Sequence, residues 1–259
     1  MLPLWRLRGA DPGAPEVRAQ VAPVAVAHGA GSSDPAALPR SPDPPPDRLQ
    51  HIAALGWPEF AADVAACTAC GLCETRNKPV PGVGDVNAQW LFVGEAPGAE
   101  EDAKGEPFVG QAGRLLDNML AALGMKRGQN VYIANVLKCR PPGNRAPSPL
   151  EAESCRPYLD RQIALLHPAL IVALGKSAAT TLLNVDASIA SMRGRVHRYH
   201  GVPLIVTYHP AYLLRNLPDK AKAWDDLCLA RATMHSMRDG SERGAGLQTD
   251  VVGPTLRPA

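Results

Sequence analysis

The stretch "QWLFVG" at residues 89–94 decides the fold when read with the two segments after it, "GRLLDNMLAALGM" at 113–125 and "NVYIANVL" at 130–137. The first and third are short, nearly unbroken apolar runs, the pattern of strands covered on both faces. The middle stretch sets Leu115, Leu116, Met119, Leu120 and Leu123 at helical spacing and closes at Gly124. "ALIVALG" at 169–175 and "VPLIVTYH" at 202–209 repeat the strand pattern. Before them, "SPLEAESCRPYLDRQIALL" at 148–166 opens a helix with Ser148 as N-cap, Pro149 at the first helical position and Glu151 completing a capping box. Pro157 is expected to kink or split that helix. This alternation predicts an α/β fold, three-layer α/β/α with a mostly parallel four-stranded central sheet. Ligands of such sheets bind at the carboxyl ends of the strands.

Hydrophobic residues form 46% of the 259 and charged residues 20%, enough apolar material for one sizeable core. A net charge of +2 is too mild to point to any partner. Ten of the 26 prolines fall within residues 1–50, among Ala, Gly and Ser without hydrophobic period. That segment reads as a flexible tail, with 51–238 as the folded domain and 239–259 as a second tail. No apolar run approaches the roughly 18 residues of a membrane span, and Arg6 and Arg8 interrupt the start before a signal core can form. A cytoplasmic monomer with reduced thiols is expected, so its six cysteines read as metal ligands rather than a disulfide framework.

Three of the four strands end in a polar group: Glu95 within "GEAPG", Asn135, and His209 followed by Pro210. A lone His or Asn at a strand end usually satisfies a local backbone group; three on one rim indicate a site. Neither G-x-G-x-x-G nor the P-loop pattern is present, which leaves nucleotide cofactors unsupported. Phe108, in the "PFVG" loop after Glu100, Glu101 and Asp102, reads by itself as a core plug. In "CTACGLC", Cys67, Cys70 and Cys73 stand at two-residue intervals, with no further cysteine until Cys139 and Cys155. Cys228, flanked by Leu227 and Leu229, reads as an inert thiol. Two pairs of thiolates suit zinc or an iron-sulfur cluster, and spacing does not choose between them.

The stretches "CTACGLCETR", "FVGEAPGAEEDAKGEPFVGQAGRLLD", "YIANVLKCRPPGNRAPSPLEAESC" and "TYHPAYLLRN" together resemble the family 4 uracil-DNA glycosylases, the iron-sulfur branch of the uracil-DNA glycosylase superfamily, over about residues 60–237. The resemblance implies hydrolysis of the N-glycosidic bond of deoxyuridine in DNA. It also implies a [4Fe-4S] cluster on Cys67, Cys70, Cys139 and Cys155, with Cys73 a bystander. It assigns reading of the uracil edge to Asn135, stacking to Phe108, exclusion of the thymine methyl to Glu101, and stabilisation of the departing uracil at O2 to His209. Leu213 is expected to wedge into the duplex and Arg215 to hold a phosphate. Many superfamily relatives carry an Asp where this chain has Ala96, so Glu95 is the carboxylate left to position water or sugar. Two rival readings remain: a non-catalytic iron-sulfur DNA-binding or electron-transfer module, and a relative that crosslinks covalently to uracil-DNA through a His. The loop "RPPGNRAPSP" after Cys139 has no His for the latter.

Overall fold

A computed structural model of the protein describes the backbone of residues 46–245 and the side chains of 47–237. Most of both expected tails, 1–45 and 246–259, lies outside those residues. The elements run α1 (Pro46–Ala54), α2 (Trp57–Ala66), β1 (Val83–Gly84), β2 (Trp90–Gly94), α3 (Ala99–Lys104), α4 (Gln111–Ala122), β3 (Val131–Asn135) and α5 (Pro149–Leu166). They continue through β4 (Leu170–Leu174), α6 (Lys176–Leu183), α7 (Ile189–Met192), β5 (Val196–Tyr199), β6 (Val202–Thr207), α8 (Pro210–Arg215) and α9 (Asp219–Ala245).

The four strands read from sequence are β2, β3, β4 and β6, and their pairings with one another are parallel. The sheet is six-stranded rather than four-stranded, in the order β1-β3-β2-β4-β6-β5. The two additional strands are short antiparallel edges, β1 on β3 and β5 on β6. Their sequences betrayed little: β1 is only Val83 and Gly84, and β5, "VHRY", is polar and largely solvated. The short, charged edge also blunts strand-to-strand association.

Side chains of the central strands alternate between two cores, as the period of two demands. Leu91, Val93, Tyr132, Ala134, Ile171, Ala173, Leu204 and Val206 meet α5 and α6 on one face. Trp90, Phe92, Val131, Ile133, Leu170, Val172 and Ile205 meet α4 and α9 on the other. Each fully buried aliphatic or aromatic side chain contributes on the order of 1.5–3 kcal/mol, so these two layers fix the strand register. A third cluster joins Ile52, Phe60 and Val64 of the first two helices, and Leu55 between them, to Tyr158 of α5. Helix α1 starts at Pro46, inside the stretch read from sequence as tail, and its first residue in this cluster is Ile52.

Helix α5 runs on through Pro157, so the proline does not split it. Its capping box forms as read: Ser148 Oγ accepts the Glu151 N–H at 3.2 Å, and Glu151 Oε2 accepts the Ser148 N–H at 2.8 Å. In the turn ahead of the proline, Arg48 Nη2 donates to the Ser154 carbonyl at 3.0 Å and ties α1 to α5, while the carbonyl that loses its helical donor to Pro157 is that of the exposed Glu153.

Candidate active site

Register brings the first two strand ends together, since Gly94 of β2 pairs with Asn135 of β3. From β3 the chain crosses back over β2 to β4, so the sheet's switch point lies beside this pair. Asn135 is 1% exposed, and its Oδ1 has no hydrogen-bond partner within the protein. A Cβ added to Gly94 would stand 2.4 Å from that oxygen and 2.6 Å from Phe108 Cζ. The absence of a side chain at 94 is therefore what lets a carboxamide and an aromatic ring share one spot. A buried acceptor left unpaired costs about 1–3 kcal/mol, and a ligand N–H removes that cost.

Phe108 has φ of 55°, a left-handed backbone that a bulky residue adopts only under constraint. The constraints are visible. Glu101 Oε1 accepts the N–H groups of Val109 at 2.9 Å and Gly110 at 3.1 Å, while its Oε2 accepts that of Gly98 at 3.1 Å. Arg127 donates to the carbonyls of Pro107 at 2.9 Å and Phe108 at 2.8 Å, and its guanidinium is itself paired with Asp117 at 2.9 Å. At Gly113 a Cβ would lie 1.7 Å from the Phe108 oxygen, so only glycine fits there. Glu101 thus acts on the site through the loop it holds. Arg127 and Gly113 went unread in the sequence, because nothing in "MKRGQN" or "QAGRLL" marks a contact to a loop so far along the chain.

His209 is the N-cap of α8, and its Nδ1 accepts the Ala211 N–H at 3.1 Å. Its ring lies 5.4 Å from that of Phe108 at an interplanar angle of 28°. Burial pushes the imidazole down to about 4, the Arg215 guanidinium pushes the same way, and Glu101 opposes them. A neutral ring that accepts at Nδ1 carries its proton on Nε2, so it enters the cleft as a donor. Behind it, a Cβ at Gly175, just past β4, would come 2.9 Å from His209 Cβ. Burial raises the Glu95 carboxyl, against a hydrogen bond from Ser177.

Leu213, expected to enter the duplex, is instead 1% exposed and belongs to the α4/α9 core. Helical spacing turned it inward, and the leucines this segment presents to solvent are Leu214 (39% exposed) and Leu217 (60%). Arg215 is exposed beside Leu214.

On the other face of the sheet, Cys67, Cys70, Cys73, Cys139 and Cys155 line one cavity. Cys67 caps α2 and Cys70 caps the 3-10 turn Gly71–Cys73. Cys139 follows β3, and Cys155 sits in the second turn of α5. Cys228, in α9, is not among the lining residues. Among the described residues, no three His, Cys, Asp or Glu side chains converge as ligands of a single ion. Arg76 Nη1 donates to Cys139 Sγ at 3.1 Å, and the Lys138 N–H donates to Cys155 Sγ at 3.3 Å. Burial pushes Cys155 up to about 12 and raises Cys70 and Cys139, so these thiolates need positive charge to exist here. All-sulfur donors with adjacent N–H groups are the surroundings of a soft-metal thiolate centre, so the residues fit a four-cysteine cluster.

The family model of the Uracil DNA glycosylase superfamily matches residues 81–228. The chain is 46% identical to the Type-4 uracil-DNA glycosylase of Archaeoglobus fulgidus over 164 residues, 60% of this chain and 82% of that one. It is likewise 46% identical to the Type-4 uracil-DNA glycosylase of Thermotoga maritima, over 59% of this chain and 80% of that one. Identity to the Type-5 uracil-DNA glycosylase of Pyrobaculum aerophilum is 33%, over 53% and 67% respectively.

Proposed function

The chain belongs to the uracil-DNA glycosylase superfamily, and from that premise we propose how its site works. It is a uracil-DNA glycosylase, hydrolysing the N-glycosidic bond of deoxyuridine in DNA to release uracil and leave an abasic site, the first step of base excision repair. The reading of the site rests above all on one observation, the buried and unpartnered Oδ1 of Asn135 beside the Phe108 ring.

A base must leave the stack to be cut, and is then read by its edge and its faces. Uracil offers N3–H to the orphan Oδ1 of Asn135 and takes a hydrogen bond from Nδ2 at O4. Cytosine presents the reverse pattern and leaves both groups unpaired, at about 1–3 kcal/mol each. Phe108 is the stacking wall. Neutral His209 donates from Nε2 to uracil O2, where negative charge gathers as the bond breaks. A transition state of oxocarbenium character needs little help from a base, so Glu95 has the lesser task of holding water or sugar. Glu101 fixes the Phe108 loop, and through that loop closes the space where thymine carries its methyl. At the DNA surface, Arg215 holds a phosphate and the exposed Leu214 takes the wedging part expected of Leu213.

Cys67, Cys70, Cys139 and Cys155 would hold a [4Fe-4S] cluster, with Cys73 in reach of the same cavity. When bound, that group supplies a rigid four-point cross-link and no step of the hydrolysis. No helix among the described residues is long and apolar enough to cross a membrane, and we read the protein as a monomer acting on DNA in the cytoplasm.

Uracil release from single- and double-stranded oligonucleotides carrying one deoxyuridine tests the reading, with iron and sulfide measured on the same preparation. Release by the wild-type chain and its loss in Asn135→Ala are expected. Iron-bearing protein that binds DNA without releasing uracil would instead favour the non-catalytic module.

A further inference from the structure

Lys138 is a charged side chain at 1% exposure, and among the described residues it forms no ion pair with a carboxylate. Its Nζ donates to the main-chain carbonyl of Asn135 at 2.7 Å and to Gln162 Oε1 at 2.5 Å. Gln162, 0% exposed on α5, is fixed in turn by donating from Nε2 to the Pro81 carbonyl at 2.7 Å and the Tyr132 hydroxyl at 3.2 Å. The backbone N–H of the same lysine points to Cys155 Sγ at 3.3 Å, and its neighbour Cys139 lines the thiol cavity, as Lys138 itself does. One residue therefore touches both the base-reading asparagine and the cysteine site.

An ammonium buried without counter-charge is costly, and the groups available to balance it here are thiolates. We propose that Lys138 is a positioning residue that ties the cysteine centre to uracil recognition. Its ammonium anchors the Asn135 backbone, and thereby the carboxamide, and is itself held in place by the negative charge of the filled thiolate site. Gln162 is the strut that aims it. The inference rests on the iron-sulfur glycosylase reading above and adds a residue to it; in this arrangement the cluster acts on specificity by charge and position, without exchanging electrons with the substrate.

The test uses the cluster-loaded full chain. In Lys138→Met, iron content should stay near the wild-type value, while KM for uracil-containing DNA rises roughly tenfold and kcat changes by less than about threefold, because an interaction present in both ground and transition states has loosened. Independently of activity, the midpoint potential of the cluster should fall, since removing a buried positive charge beside it disfavours the reduced, more negative state. Gln162→Glu is the second variant and guards against misfolding of the first. It keeps the lysine but gives it a local carboxylate, so the potential should fall again while KM moves less than in Lys138→Met. Unchanged potential and kinetics in both variants would overturn the proposal and leave the glycosylase reading standing. A wild-type chain without an iron-sulfur spectrum, or without uracil release, would overturn the reading beneath it and this proposal together.

Discussion

At the scale of single residues, His209 and Asn135 stood out in the sequence because, with Glu95, they end apolar runs on one rim. What the sequence could not show is tautomer and protonation, which depend on the Ala211 N–H and on burial. His209→Ala removes the donor to uracil O2 and should slow single-turnover cleavage by about 10² to 10³, with affinity for uracil-DNA little changed. Rapid-quench and filter-binding measurements on one preparation separate the two; weaker binding with unslowed cleavage would make the histidine a mere anchor. The depressed imidazole also sets a pH dependence. A histidine near 6.5 when unfolded and about 4 when folded binds fewer protons in the native state between those values. Its contribution to stability is therefore full above about pH 6.5 and is lost as pH falls toward 4. Protonation puts a proton on Nδ1, which then no longer accepts the Ala211 N–H that fixes the ring, so single-turnover cleavage should hold down to about pH 5 and fall near pH 4 as the ring leaves its cap, measured in Glu95→Gln so that the raised Glu95 carboxyl does not add its own limb. An acid limb at pH 6.5 would show that the ring is not desolvated. Gly94→Ala tests the shared spot directly: the new methyl would meet the Asn135 oxygen and the Phe108 ring, so uracil release should be lost while the circular dichroism spectrum stays native.

At the scale of elements, the four parallel strands and the α4 and α5 helices could be read because burial on two faces writes itself into composition. The edge strands could not, since two residues at β1 and a solvated "VHRY" at β5 carry no such signature. Helix α8 shows a subtler gap. Counting from His209 picks out Leu213, but only the helix phase tells that Leu213 faces the core and Leu214 the solvent. Leu213→Ala should cost about 2–5 kcal/mol in denaturant unfolding, as for other fully buried leucines. Leu214→Ala should leave stability within about 0.5 kcal/mol and slow cleavage of paired uracil more than unpaired uracil, because only the former must be pushed out of a duplex. The reverse assignment of these two phenotypes would restore Leu213 as the wedge.

At the scale of the whole molecule, the sequence located the cysteines but not the fact that α1 belongs with them. Arg48 reaches Ser154 and Cys67, and Ile52 packs with Phe60, Val64 and Tyr158. A chain begun at residue 46 should therefore be more stable than one begun at residue 56, by about 2–5 kcal/mol for the apolar anchors lost; equal melting temperatures would mean that α1 is dispensable. On the proposed iron-sulfur reading, serine at Cys67, Cys70, Cys139 or Cys155 should remove the brown colour expected of the loaded protein and lower its melting temperature, whereas Cys228→Ser should keep its colour. The placement of those thiols has a consequence for biogenesis. Cys67 and Cys70 leave the ribosome before β2, β3 and α5 exist, and Cys155 arrives only after the strand that carries Asn135. On the proposed four-cysteine reading, nascent chain thus offers no complete thiol set until the segment that makes the first crossover of the sheet has been synthesised. On the iron-sulfur reading, colour would then report that the segments carrying Phe108 and Asn135 have already been made, with His209 still to follow.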